Sequence, residues 1–531
     1  MKHNSLIKII TVLSAAALLT GALSVSAHAA VIDDDEAVSA APAAESVSDD
    51  LPVRYSSLKE GYVTRAKSQN YNDCWAYSSI SVLESKLLKE GIVSSPDSID
   101  FSELHLNLWA TTRSNGKGWI RKKTDAGYCT IAPGYLSSWQ GGVFESDAED
   151  ISPNKYTYGD EVPTDRAKYG VTSMRYVSRS NMDEVKRAII ENGSVTAGYA
   201  KNNSFTNNNV SIYMPPSFTG NSMGHVVAVV GWNDNYSKNN FRDTPNNNGA
   251  WLMKSSWGES NSLNGFYWVS YEDKCFLDPN RYRPAFAIEQ LEEITDSKKM
   301  IQNEIYGATY KFSNISPGQL TALNRLNFDS DFYVLDKVIF ETKVPGSDYE
   351  LYLVPEADGA PSTDTSSWKY LGSGTVDYAG YICADIDNIE LTDAKASIAV
   401  KLKNSSSDEI NIGVDEWVTD TDGEYVFLPE SEFGMSYYFE NGSMTDLMQW
   451  YKDNFNDEVG GTFVIKALTI KPENGDVNLD GKVNINDVTL VQQYLAEIND
   501  LSDNQRKLAD FNGDGDIDIT DATAIQIKIA S

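Results

Sequence analysis

The sequence predicts a multidomain protein built from an α+β domain, then a β-sandwich, then a small α-helical module. Three observations carry that reading. Across residues 51–280, helical periodicity alternates with short apolar, strand-like runs, so helices and strands share a core. From 285 to 470, short β-branched and aromatic runs dominate, and Gly, Asn, Asp and Ser separate them, the pattern of an antiparallel sandwich. From 475 to 531, a segment repeats at an offset of 34 residues, with oxygen-bearing side chains at fixed spacing and a helical stretch after each copy. A chain of 531 residues that is 41% hydrophobic has the material for several cores.

Ahead of these regions, residues 1–29 read as a secretory signal. Lys2 and Lys8 charge the start, an apolar stretch runs from about Ile9 to Leu23, and Ala27-His28-Ala29 fits a small-x-small cleavage site. Thr11, Ser14, Thr20 and Gly21 interrupt the apolar stretch, which favours a removed signal over a retained anchor. Residues 30–50 form an acidic, Ala/Ser-rich linker with little to bury. It is expected to be disordered and is too short for a folded inhibitory propeptide. The balance of 76 acidic against 44 basic residues, a formal charge of -32, argues against nucleic acid or an anionic membrane as the main partner. No later segment is apolar enough to insert in a bilayer, so the expectation is a secreted, extracellular protein. Four cysteines (Cys74, Cys129, Cys275, Cys383) are too sparse for a disulfide scaffold, and the sequence leaves the pairing of the last three open.

In the α+β region, Ala76, Ile80, Leu83 and Leu87 mark one face of a helix, with Asp73 expected as N-cap and Gly91 as its stop. Cys74 therefore falls in the first turn, where unpaired amides and the helix dipole favour a thiolate. A lone cysteine is more often packing than chemistry, so the partners decide. His3 and His28 lie in the signal, leaving His105 and His225 as bases. His105 falls in a helix-like stretch near Trp109 and reads as packed or solvated. His225 opens the apolar strand Val226–Val230, ending at Gly231, and a strand can fix an imidazole. Gln69, five residues before Cys74, can offer its amide to an oxyanion. A helix from Met182 to Asn192 stopping at Gly193, and strands Val195–Ala200 and Phe266–Tyr271, complete the region.

These residues form a recognisable set. Gln69 with Cys74-Trp75-Ala76, then Gly224-His225-Val226-Val227-Ala228-Val229-Val230-Gly231-Trp232, then Trp251-Leu252-Met253-Lys254-Ser255-Ser256-Trp257-Gly258 and Asn264-Gly265-Phe266-Tyr267, resemble the papain-like cysteine peptidases. The resemblance implies a two-lobed papain-like fold and a protein or peptide substrate lying between the lobes. It makes Cys74 the nucleophile, His225 its ion-pair partner and proton donor to the leaving amine, and Trp257 a shield over the histidine. Two departures stand out. The family pattern has Asn where this chain has Ser255, and the Gln69-to-Cys74 spacing is one residue short. A serine hydroxyl can accept from the imidazole, but it is shorter than an amide and its rotor is free, so lower activity or a bridging water is expected. The alternatives are a weak or silent pseudo-peptidase acting as a displayed binding or adhesion protein, and another Cys–His hydrolase such as a peptidoglycan amidase. The tryptophan-bearing motifs favour the peptidase.

In the 285–470 region, strand-like runs cover Val334–Thr342, Tyr349–Val354, Ser397–Leu402, Asn411–Val414 and Thr462–Thr469. The stretch Gly372-Ser373-Gly374-Thr375-Val376-Asp377-Tyr378-Ala379-Gly380-Tyr381 loosely resembles the lectin-like β domain that follows some bacterial papain-like peptidases. The roles implied are glycan contact, substrate presentation or bracing of the catalytic lobes.

The repeat carries Asp476, Asn478, Asp480, Gly481, Asn484 and Asp487, then Asp510, Asn512, Asp514, Gly515, Asp518 and Asp521. Side-chain oxygens fall at loop positions 1, 3, 5, 9 and 12, with glycine at 6 and the main-chain carbonyl of Lys482 or Asp516 at 7, the spacing of a calcium loop. Helical segments Val488–Ile498 and Ala522–Ile529 follow the loops. Two such loops at the end of a secreted chain resemble a type I dockerin. That family implies two Ca²⁺ ions and docking onto a cohesin of a scaffold protein, as in the cellulosomes of anaerobic bacteria. Positions 10 and 11, which help choose the cohesin, are Ile485-Asn486 and Ile519-Thr520. The pairs differ, so two symmetry-related docking orientations need not be equivalent.

Overall fold

A computed structural model of the chain describes residues 51–531, apart from 153–154, 157–159, 281–283, 315, 420–423 and 456–459. The expected signal (1–29) and linker (30–50) lie outside the described residues. Among the described residues, no helix is long and apolar enough to cross a membrane.

The first domain has two lobes. One is helical: Cys74–Lys89, Glu103–Trp109 and Ile131–Ser137 pack around Ile80, Leu83, Leu106 and Tyr135. Ile80, Leu83 and Leu87 are fully buried, each contributing about 1.5–3 kcal/mol. The Cys74–Lys89 helix ends as expected, with Gly91 at φ +70 just past its C-cap. Its start differs from expectation. Asp73 stands at the N-cap position but does not cap; its carboxylate takes the Asn107 amide at 2.9 Å. The buried Arg121 fixes Asn107, donating to its Oδ1 at 2.9 Å, and that network draws Asp73 away from the helix amides.

The second lobe is a seven-stranded sheet centred on Met223–Asn233, which pairs antiparallel with Val195–Lys201 and with Ala250–Lys254. The Met182–Asn192 helix covers it, burying Val185 and Ile189 against Val195, Val227 and Val229. Arg54–Ser56 adds an edge strand. It can approach because Gly231 has no side chain: a Cβ there would lie 2.3 Å from the Tyr55 carbonyl oxygen.

The middle region is a sandwich of two six-stranded sheets. One holds, in order, Ala285–Glu293, Tyr169–Val177, Gly380–Glu390, Val334–Thr342, Ile465–Ile470 and Lys298–Ile301. The other holds Lys369–Thr375, Asp348–Val354, Lys395–Lys403, Gln319–Asn327, Ser436–Glu440 and Ser443–Asp446. Val338, Phe340 and Ile465 meet Ala322, Leu351 and Val400 between them. The expected strands are present, although the run read as Thr462–Thr469 becomes the strand Ile465–Ile470.

A division between 280 and 285 does not describe the packing. Tyr169–Val177 belongs to the first domain by sequence, yet it lies inside the first sandwich sheet, between Ala285–Glu293 and Gly380–Glu390. A nine-residue strand left unpaired would expose a row of amides and carbonyls. Fully buried Lys466, from the last sandwich strand, pairs with Glu304 at 2.6 Å and donates to Ser138 Oγ of the helical lobe at 2.6 Å. The sandwich is thus fused to the first domain through backbone and buried charge.

The C-terminal module has helices Ile485–Leu495, Asp503–Ala509 and Ile519–Ala530. The outer two start earlier than their apolar patterns imply, because Asn484 and Asp518 each form a capping box. The middle helix was not foreseen, though Ser502 and Gln505 cap it in the same way. Val488, Val491, Ala522 and Ile525 share a core with Val334 and Ile470 of the sandwich. Asn388 donates to the Leu479 carbonyl at 2.6 Å across the same junction.

Candidate active site

Cys74 opens its helix and remains partly exposed. The Val226 backbone N–H donates to its sulfur, which seats the thiol beside the residue that follows His225. His225 is buried on its strand directly opposite Tyr199, whose ring meets the imidazole edge-on at 5.7 Å. Ser255 Oγ lies 3.3 Å from His225 Nε2, and Trp257 stacks on the imidazole at 4.1 Å and 14°. Stacking of this kind is worth about 0.5–1.5 kcal/mol beyond the area it buries. Nε2 is the ring nitrogen that faces Ser255. Helix start, strand and the loop after Lys254 thus converge on one point.

Burial controls the charges here. It pushes the Cys74 thiol up to about 11, and the Asp73 carboxylate adds to the effect. This reverses the expectation that a helix start would favour the thiolate. A rise from 9 to about 11 corresponds to roughly 3 kcal/mol, against about 0.3–1 kcal/mol for a helix dipole. Burial also pulls His225 well below its usual range, and the charge of Lys201 pulls the same way. Each charge is disfavoured alone, so a thiolate and an imidazolium formed side by side would each offset the other's burial.

Gln69 is held from both ends of its amide. Ser256 Oγ donates to Oε1 at 2.5 Å, and Nε2 donates to the Tyr71 carbonyl at 2.7 Å. One of two amide hydrogens is therefore spent locally, and one is left for an oxyanion. A cavity of about 570 Å³ adjoins this turn, lined by Ser68, Asn70, Tyr71, Tyr77 and Gly258 among others. His105 is fully buried, with Nδ1 2.6 Å from Tyr135 Oη and Nε2 2.8 Å from the Pro163 carbonyl, and burial lowers it to about 4. It packs and is not solvated. Cys74, Cys129 and Cys383 are free thiols. Sequence reasoning missed Lys201, whose Nζ lies 3.1 Å from the centre of the Trp257 ring. The expected strand stopped one residue short of it.

In the C-terminal loops, positions 1 and 12 accept from the backbone in both copies, position 12 from the same two loop positions each time and position 1 from position 6 in both but from position 5 or 4 for its second amide. Asp476 accepts from the amides of Asp480 and Gly481 at 3.1 and 3.0 Å, and Asp487 from those of Asn478 and Asn484 at 2.9 and 2.8 Å. In the second copy Asp510 accepts from Gly513 and Gly515, both at 3.0 Å, and Asp521 from Asn512 and Asp518 at 3.1 and 3.0 Å. Among the described residues no three His, Cys, Asp or Glu side chains converge as a ready-made ion cage. The loops would need the Asn side chains and the Lys482 and Asp516 carbonyls as well. Buried Asp476 is raised to about 6 by desolvation and by Asp487 and Asp480, a crowding of negative charge that fits a divalent cation.

Three family models match the chain in order: "Papain family cysteine protease" over residues 51–284, "Lectin like domain" over 328–469 and "Dockerin type I domain" over 474–530. Cathepsin S of Mus musculus is 29% identical over 229 residues, 42% of this chain and 60% of that protein. Cathepsin K of Mus musculus is 28% identical over 220 residues, 39% of this chain and 56% of that protein. The chain thus spans less than two thirds of the length of these curated relatives. Two solved structures share 33% identity over 79% of the chain at a TM-score of 0.68. One is the clostridial cysteine protease Cwp84 after propeptide cleavage, 99% of which is covered. The other is the cysteine protease and lectin-like domains of Cwp84, a surface layer associated protein of Clostridium difficile, 89% of which is covered.

Proposed function

Because the chain belongs to the papain family of cysteine proteases, with a lectin-like domain and a type I dockerin behind the protease domain, we propose that it is a secreted cysteine endopeptidase docked onto a cohesin-bearing scaffold. The observation that carries the enzymatic part is His225, with Nε2 at 3.3 Å from Ser255 and Trp257 stacked on its ring, on the strand that donates to the Cys74 sulfur.

In this reading Cys74 gives its proton to His225 Nδ1 as the sulfur attacks the peptide carbonyl carbon. The Cys74 backbone N–H and the remaining Gln69 amide hydrogen receive the oxyanion. Imidazolium then protonates the leaving amine as the C–N bond breaks, and water hydrolyses the thioester with His225 as base. Ser255 Oγ accepts from Nε2–H and so fixes the tautomer, while Trp257 keeps water from the ring.

In the dockerin, Asp476, Asn478, Asp480, Asn484 and Asp487, with the Lys482 carbonyl, would hold one Ca²⁺. Asp510, Asn512, Asp514, Asp518 and Asp521, with the Asp516 carbonyl, would hold a second. Bound Ca²⁺ would supply the positive charge that these crowded carboxylates lack. The dockerin and the surface-layer association of Cwp84 support attachment to a cell-surface or cellulosome-type complex, and polysaccharide catabolism is the setting proposed for it. A glycan contact is supported by an aromatic groove of about 400 Å³ on the outer face of the sandwich, where Tyr352, Trp368 and Phe439 stand beside Gln319 and Thr321.

The test is cleavage of a denatured protein by the wild type and by Cys74→Ala. Cleavage by the wild type alone is expected. Cleavage that survives in Cys74→Ala would overturn the assignment.

A further inference from the structure

We infer that Lys201 selects a carboxylate on the residue immediately after the scissile bond, so that the cleft favours an acidic side chain or a free chain terminus there. This rests on the peptidase reading and adds a substrate class to it. The first ground is position. Lys201 ends its strand opposite Met223, and Tyr199, two residues back, stands opposite His225. Directly paired residues, and residues two apart on one strand, share a face. Lys201 therefore lies on the face of the sheet that carries the imidazole, one step toward the exposed end marked by Met223 and Gly224.

The second ground is what surrounds the ammonium. Its Nζ sits over Trp257 at 3.1 Å from the ring centre, and Trp257 is the ring stacked on His225. Burial lowers Lys201 to about 8, and the only charge that offsets this is that of Cys74. No carboxylate among the described residues serves as its counter-ion. A half-buried cation over an indole is held by the ring's negative face, but an anion would satisfy it better.

The third ground is the direction of the reaction. His225 hands its proton to the leaving nitrogen, so the chain on the leaving side must pass the imidazole and then Trp257. The first side chain after the scissile bond is the one that meets this ammonium. A carboxylate there completes the pair that the protein leaves open.

Lys201 also stands near the sulfur, and a general effect on the thiolate is separable. Every substrate meets the same thiolate, so such an effect cancels in the ratio between two peptides that differ at one residue. The experiment compares kcat/KM for internally quenched, end-blocked peptides with Glu or Gln after the scissile bond. A second pair, with Ala there as the last residue, ends in a free carboxylate or an amide. The Glu peptide should be favoured on the order of tenfold if a side chain is read, and the free terminus by a similar factor if a chain end is read. Lys201→Met should bring the ratio near one, and Lys201→Glu should invert it. Ratios near one in the wild type for both pairs, or a preference that persists in Lys201→Met, overturn the inference. If the wild type cleaves none of the four peptides, the peptidase reading fails instead. Fluorescence anisotropy of the same peptides on Cys74→Ala, with and without Lys201→Met, then decides Lys201 by itself: a carboxylate preference that the second substitution removes supports it, and equal binding overturns it.

Discussion

The catalytic cleft and the C-terminal loops both gather charge-bearing side chains, but over different lengths of chain. Each loop collects its oxygen donors within one short turn, and backbone amides hold positions 1 and 12 in place. The cleft draws Cys74, Lys201, His225, Ser255 and Trp257 from separate elements, brought together by a sheet and two lobes. In the loops, buried Asp476 and Asp487 face each other and Asp480 within a few residues of chain, a local crowding of negative charge that a bound cation would relieve. In the cleft, burial sets the charge states, and it opposes both the thiolate and the imidazolium. A local site is written in its spacing, whereas a distributed one depends on what the packing does to water.

The largest effects should fall separately on the two sites. Cys74→Ala should cost at least about 10³-fold in kcat/KM while leaving Ca²⁺-dependent docking to a cohesin intact. Chelation, or Asp476→Ala, should do the reverse, lowering cohesin affinity by about 10²-fold or more with peptidase activity unchanged. Activity assays and cohesin titrations on the same samples check both. The module shares Val334 and Ile470 with the sandwich, so chelation that also abolished cleavage would mean the two sites are coupled through that junction, and the contrast would break.

The two buried histidines sharpen the same point through pH. His105 is pulled to about 4 by burial. The unfolded chain takes up this proton below about 6.5 while the folded protein does not, so stability falls as pH drops from about 6.5 to about 4. At full extent the loss from this group is about 3 kcal/mol. Urea unfolding of the catalytic domain at pH 7 and at pH 4.5 should show most of it, and His105→Gln should flatten the difference. An unchanged slope in that variant would assign the acid sensitivity elsewhere.

Much of this molecule was legible in advance, and the gaps have a common cause. The Cys74 helix, its stop at Gly91 and the His225 strand follow from apolar spacing, which is a local signal. The Tyr169–Val177 strand gave no sign that its partners lie more than a hundred residues downstream, because strand pairing is chosen by packing. Lys201 carries no local signal, and only its register with Met223 places it at Trp257. Gln69 was identifiable by type, but the direction of its amide depends on Ser256 and Tyr71. The helix-start amides do lower the Cys74 thiol, as expected, but the cost of burying the charge outweighs them, and burial is not legible in the spacing.

The smallest expected effect concerns Ser255. Its hydroxyl reaches His225 Nε2 at 3.3 Å, a long contact for a group whose task is to hold a ring in one orientation. Its backbone N–H is already committed to the Gly265 carbonyl at 3.1 Å, so the side chain acts alone. An Asn amide carbonyl is longer and planar, and a small cavity beside Ser255, lined by Ser78, Ser81 and Val227, gives part of the room it needs. Ser255→Asn should therefore raise kcat by up to about tenfold with little change in KM, the pattern of an interaction that matters mainly in the transition state. Ser255→Ala should lower kcat by a similar factor, leaving Nε2–H buried without an acceptor. If both variants turn over like the wild type, orientation of the imidazole comes from the rings of Trp257 and Tyr199 rather than from a hydrogen bond. The cleft would then depend still more on packing, and still less on motif, than the loops it is compared with.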